Sequence, residues 1–123
     1  MNVRDRSKVM ICDDDHGILN MLELIVESAG AQVDKEPDSA KLISRLEINQ
    51  PALLIIDLWM PNMAGDVIVR QLRADIKFDD VFILCISASL NGKSVAMNAG
   101  ADKFLAKPFD IADLLSVVNK VIS

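Results

Sequence analysis

Ala52-Leu53-Leu54-Ile55-Ile56-Asp57 is the stretch that decides the fold. Five aliphatic residues without polar alternation read as a strand covered on both faces, the mark of a parallel sheet between helix layers. Working outward, three more apolar runs end in polar residues. Lys8-Val9-Met10-Ile11-Cys12 leads into Asp13 and Asp14, Val81-Phe82-Ile83-Leu84-Cys85-Ile86 into Ser87, and Phe104-Leu105-Ala106 into Lys107. Parallel strands place all their C-terminal ends on one edge, where open α/β folds keep their sites. Three carboxylates, a hydroxyl and an ammonium are therefore expected to converge.

The segments between these runs carry helical spacing. Ile18, Leu19, Leu22, Ile25, Val26 and Ala29 share one face before Gly30. Ala31 to Glu36 is a polar strand suited to a sheet edge. Pro37 and the N-cap candidate Asp38 open a helix through Leu42, Ile43 and Leu46, which Pro51 closes. Beyond the turn from Asp57 to Gly65, Val67, Ile68 and Leu72 mark a third helix. A fourth is thin, with Gly92 in its first turn and Val95, Met97 and Ala99 before Gly100. Lys103 to Ala106 makes the last strand. After Pro108 and Asp110, the residues Ile111, Leu114, Leu115, Val118, Val121 and Ile122 form a continuous stripe. Five strand and helix pairs in strict alternation give an α/β, (βα)5 doubly wound parallel sheet, with strand order left open by periodicity.

A chain of 123 residues has room for one compact domain. Its net charge of −5 would repel a phosphate backbone overall, which argues against direct nucleic-acid contact. Met1 to Ser7 lacks the apolar segment of a secretory signal, and no run is long enough to cross a bilayer, so a cytoplasmic protein without membrane attachment is expected. Cys12 and Cys85 lie inside apolar runs and are expected to be buried as small hydrophobes.

Bringing Asp13, Asp14 and Asp57 together is costly, since two like charges roughly 6 Å apart repel by about 3 kcal/mol at an effective dielectric of 20. Something cationic must balance them. Lys107 supplies one charge, and a hard divalent ion that prefers carboxylate and carbonyl oxygen, Mg²⁺ above all, supplies two.

Asp13-Asp14, the turn Asp57-Leu58-Trp59-Met60-Pro61-Asn62-Met63-Ala64-Gly65, Ser87-Ala88 and Lys107-Pro108-Phe109 appear in an order that resembles the response-regulator receiver domain of two-component signalling. The resemblance spans nearly the whole chain. It implies a flavodoxin-like receiver fold of strand order 2-1-3-4-5 over residues 1–123, with no output domain in this chain. It further implies that Asp57 accepts a phosphoryl group, with Mg²⁺ held by Asp14, Asp57, the Trp59 backbone carbonyl and, through water, Asp13. Ser87, the Ala88 backbone and Lys107 would hold the phosphoryl oxygens. Ser87 and Phe104 would form the switch, although Phe104 lacks the hydroxyl a tyrosine would bring. Trp59 and Ser89 would flank the route of attacking water, and neither is built to orient it, so slow loss of the phosphoryl group is expected. The implied partners are a histidine kinase or histidine phosphotransfer protein, and a downstream protein at the face of helix 4, strand 5 and helix 5. The chain would be a monomer or a phosphorylation-dependent homodimer, and no enzyme beyond its own phosphorylation and slow autodephosphorylation.

Other readings account for single residues. Asp15 suits the cap of the first helix, and His16 suits a surface position beside acidic groups. Asp13-Asp14-Asp15-His16-Gly17 loosely copies the Asp-x-Asp motif of haloacid-dehalogenase phosphohydrolases, but Gly17 breaks the pattern and the late acidic pair is missing. A pseudo-receiver that only docks partners would not need acceptor, metal and lysine positions intact. A phosphate-cradling loop wants glycines where this chain has aspartates, and an EF-hand loop would follow a helix and carry later ligands.

Overall fold

Residues 6–122 are described by a computed structural model. Residues 1–5, which include most of the segment Met1 to Ser7 read above, and Ser123 fall outside the described residues. The elements are β1 (Lys8–Cys12), α1 (His16–Ser28), β2 (Gln32–Glu36), α2 (Leu42–Ile48), β3 (Leu53–Asp57), α3 (Gly65–Arg73), β4 (Phe82–Ser87), α4 (Gly92–Ala99), β5 (Lys103–Ala106) and α5 (Ile111–Ile122). All neighbouring strands pair in parallel in the order β2-β1-β3-β4-β5, so the polar β2 takes an edge as its composition requires.

Side chains alternate across a strand, and that alternation splits the core into two layers. Val9, Ile11, Leu53, Ile55, Leu84 and Ile86 pack with Leu19, Leu22 and Val26 of α1 and Leu114 and Val118 of α5. Their neighbours Met10, Cys12, Leu54, Ile56, Ile83 and Cys85 pack with Leu42, Leu46, Ile68, Leu72, Ala96 and Ala99 from α2, α3 and α4. Each layer buries one face of the sheet, and the aliphatic run of β3 is buried along its whole length because both layers cover it. Among the described residues, no helix is long and apolar enough to cross a membrane.

Two local features depart from the sequence reading. Asp38 does not cap α2 itself: its side chain accepts from Ala40 N–H and starts a single 3-10 turn, Ser39–Lys41, after which α2 begins. A second 3-10 turn, Ile76–Phe78, capped by Asp75, seats Phe78 in the core. At the edge opposite the strand C-termini, the Arg73 guanidinium donates to the carbonyls of Gly100 at 2.8 Å and Val81 at 3.1 Å and pairs with Asp102. That clamp joins the end of α3 to the chain entering β4 and β5.

Candidate functional site

Strand register assembles the site. Cys12 lies opposite Ile56, so the next residues, Asp13 and Asp57, leave adjacent strands level with each other. Asp57 in turn pairs with Ile86, and Ser87 with Ala106, which places Ser87 and Lys107 at the same rim. The polar residues that end four apolar runs therefore meet because their strands are parallel and in step.

The carboxylates of Asp13, Asp14 and Asp57 each offer an oxygen within 4.8 Å of the others. Lys107 Nζ stands 3.3 Å from Asp13 Oδ2 and 3.3 Å from Asp57 Oδ2, donating to both. Backbone donors fix the remaining oxygens: Asp15 N–H donates to Asp13 Oδ1 at 2.9 Å, and Trp59 N–H to Asp57 Oδ1 at 3.1 Å. Asp13 and Asp57 are buried and Asp14 is exposed, so the cluster opens to solvent on one side. Burial pushes the Asp13 carboxyl above its ordinary value, and the charge of Asp57 adds to that, while the Asp15 N–H and Lys107 pull the other way. Three carboxylates against one ammonium leave an uncompensated charge of two, and an oxygen-only donor set of this size fits a hard divalent cation.

The loop carrying Trp59 is tied down at its base. Leu58 N–H donates to Ile86 O at 3.1 Å and Gly65 N–H to Leu58 O at 3.0 Å. A Cβ on Gly65 would stand 2.3 Å from the Asp57 carbonyl oxygen, so only glycine allows α3 to begin this close to Asp57. The Trp59 side chain projects outward, 62% exposed, and Ser89 is half-buried with its N–H donating to Ser87 Oγ at 3.0 Å. Ser87 itself is fully buried, whereas Ala88 is exposed.

Phe104 is half-buried and packs against the α2–α3–α4 layer. Gly92, a weak helix former in the first turn of α4, has a use in the structure. A Cβ there would lie 2.9 Å from Phe104 Cζ and 3.0 Å from Ser87 Cβ, so the missing side chain is the space that the Phe104 ring fills beside Ser87. No spacing rule could have shown this, because the three residues come from different elements. As expected, Asp15 caps α1 through Gly17 and Ile18 N–H, and His16 is exposed. Cys12 and Cys85 are buried and free. Burial pushes both thiols up to about 12, with Glu36 adding to the effect at Cys12 and Asp66 at Cys85.

A family model for the response regulator receiver domain matches residues 9–119. The chain is 30% identical over 117 residues to the DNA-binding dual master transcriptional regulator RpaA of Synechocystis, covering 94% of this chain and 48% of that protein. It is 30% identical over 115 residues to the transcriptional regulatory protein PrrA of Mycobacterium tuberculosis, covering 94% and 49%. The chain thus spans about half the length of these curated relatives. Among solved structures, the Francisella response regulator 1452 receiver domain superposes with a TM-score of 0.85 at 26% identity, covering 94% of this chain and 96% of that one. The chemotaxis protein CheY4 of Vibrio cholerae gives 0.83 at 26% identity, covering 94% and 98%.

Proposed function

The chain belongs to the response regulator receiver domain family of two-component systems, and from that membership we propose that Asp57 takes a phosphoryl group from phosphohistidine on a kinase or phosphotransfer protein and thereby changes the affinity of the domain for a partner. The observation that carries this reading is the convergence of Asp13, Asp14, Asp57 and Lys107 within hydrogen-bonding and metal-bridging distance at one sheet edge. Asp14, Asp57 and the Trp59 carbonyl would hold Mg²⁺ directly and Asp13 through water. When bound, the cation neutralises carboxylate charge and draws off charge that develops on the phosphoryl oxygens.

The protein's own groups do the rest. A carboxylate oxygen of Asp57 attacks phosphorus in line as the bond to the histidine nitrogen breaks, and that electron pair returns to the leaving imidazole. Trp59 N–H holds one Asp57 oxygen in place, which limits the rotation the carboxylate must lose. Lys107 already touches both Asp13 and Asp57, so a small shift of its amine meets a phosphoryl oxygen. The Ala88 N–H and the Ser87 hydroxyl supply the remaining donors. Drawing Ser87 toward the phosphoryl group would change the wall against which Phe104 packs, and through it the face of α4, β5 and α5. This face would meet the downstream partner, as a monomer or a phosphorylation-dependent dimer, with no direct nucleic-acid contact by this domain.

Incubation with acetyl phosphate and Mg²⁺ should add the mass of one phosphoryl group and change Trp59 emission, and Asp57→Ala or removal of Mg²⁺ should abolish both. Labelling at Asp13 in place of Asp57, or no labelling, rejects the reading. With Trp59 and Ser89 beside the water route, the aspartyl phosphate should be long-lived, and Trp59→Asn should shorten its lifetime by about tenfold. Rapid decay that the substitution leaves unchanged removes Trp59 from that role.

A further inference from the structure

The tip of the acceptor loop holds the only positive φ found at a non-glycine residue among the described residues: Asn62, at φ +70. Met63 N–H donates to Pro61 O at 2.8 Å across it, closing a three-residue γ-turn. A γ-turn with positive φ is strained for an L-residue and persists only where its surroundings over-determine it. Those surroundings come from the chain after β2. The Ser39 hydroxyl, 2% exposed, donates to Pro61 O at 2.9 Å and accepts from Met63 N–H at 3.1 Å, bridging the same two atoms that close the turn. Beside it, Asp38 Oδ1 accepts from Asn62 Nδ2 at 3.1 Å. Three consecutive loop residues are thus pinned by two consecutive residues more than twenty positions away.

We propose that Ser39, assisted by Asp38, is a positioning residue for the metal-binding loop: it holds the turn at Asn62, and so fixes the Trp59 carbonyl between the loop's anchored base and its strapped tip. This rests on the receiver reading above, in which that carbonyl is a metal ligand. Trp59 lies two residues before the turn, so releasing the tip leaves its aim to the loop's base alone: the bonds of Leu58 and Gly65 and that of Trp59 N–H to Asp57. Neither Ser39 nor Asp38 touches the acidic cluster. Their effect must appear in how tightly the cation binds.

Mg²⁺ titration followed by Trp59 emission, and independently by the Mg²⁺-induced rise in melting temperature, reads that affinity. Ser39→Ala removes both hydrogen bonds of the serine to the turn and should raise the dissociation constant by about tenfold. Saturating Mg²⁺ should bring its labelling by acetyl phosphate back to within about twofold of wild type, as expected of a positioning role. Asn62→Gly, which adopts positive φ without strain, should restore most of the affinity lost in Ser39→Ala. Asn62→Ala, at an exposed position that spares the fold, has neither tether nor tolerance and should weaken binding on its own. If wild type binds Mg²⁺ and both Ser39→Ala and Asn62→Ala bind it equally well, or if Asn62→Gly fails to rescue Ser39→Ala, the strap does not position the loop. A wild-type protein that shows no response to Mg²⁺ overturns the proposed metal-dependent reading of the site itself, before any variant is compared.

Discussion

Two corners of the same sheet edge are built by different means. At the ends of β1 and β3, Asp13 and Asp57 are each held by a backbone N–H two residues on and share the Lys107 amine, so both oxygens of each buried carboxylate have a hydrogen-bond donor. Toward the ends of β4 and β5, Phe104 is held against Gly92 and Ser87 by contact, the ring filling space that a glycine leaves. Directional bonds define the first corner before any ligand arrives. The second is defined by volume, and one moving ring can redefine it. Such a division suits the proposed function, in which chemistry at one corner is reported from the other.

The largest effect should come from breaking the charged corner. Asp57→Asn should abolish phosphoryl labelling. Without Mg²⁺ it should also make the protein more stable than wild type, by about 1–3 kcal/mol, because carboxylates this close repel by a few kcal/mol while Lys107 keeps Asp13 as a partner. Urea denaturation with and without Mg²⁺ measures this, and saturating Mg²⁺ should narrow or reverse the gap. If Asp57→Asn is destabilising in the absence of the cation, the corner is not under net repulsion and the contrast drawn above fails.

Smaller is the effect expected at the packed corner. Gly92→Ala gains up to about 1 kcal/mol of helix propensity, but it crowds Phe104 and Ser87, and overpacking costs about 1–3 kcal/mol. The ring tip can yield, so a net loss near 1 kcal/mol is expected, with Phe104 displaced outward and the Mg²⁺ dissociation constant unchanged. Gly92→Ala combined with Phe104→Ala should lose the crowding component, which a double-mutant cycle isolates. Changed Mg²⁺ affinity in Gly92→Ala would show that the corners are not separable in the unphosphorylated protein.

This contrast also governs what could be read from the chain. Asp13, Asp57, Ser87 and Lys107 are legible because each ends an apolar run, and strand parity then fixes their common edge. The paired layers follow from the same alternation, and the edge place of β2 from its polarity. Ser39 and Gly92 are not legible, since a buried serine and a helical glycine look alike whether they strap a loop, admit a ring or do neither. What identifies them is a neighbour from another element: Pro61 and Met63 for Ser39, Phe104 for Gly92. The 3-10 turn after Asp38 is illegible for a related reason, because a capping aspartate gives the same signal before either kind of helix.

The smallest effect is a near-silence, and it offers the finest comparison of the corners. Cys12 ends β1 beside the acidic cluster, and Cys85 lies in β4 two residues before Ser87. With both thiols pushed up to about 12, chiefly by burial, the thiolate fraction at pH 8 is about a thousandth or less of that of a free cysteine, so native protein should scarcely react with a thiol reagent. The sign of the pH dependence follows: both groups hold their protons more tightly when folded, so stability is full below the unfolded value near 9.0 and is lost as pH rises through that value toward 12. Residual labelling therefore reports opening, and Mg²⁺ at tenfold excess over its dissociation constant should slow any opening that dismantles the proposed metal site by about tenfold. In Cys85→Ser, labelling of Cys12 should show that full protection. In Cys12→Ser, labelling of Cys85 should show less, because a corner held by packing can open while the carboxylates stay in place; equal protection of the two would mean that this sheet edge opens only as one unit.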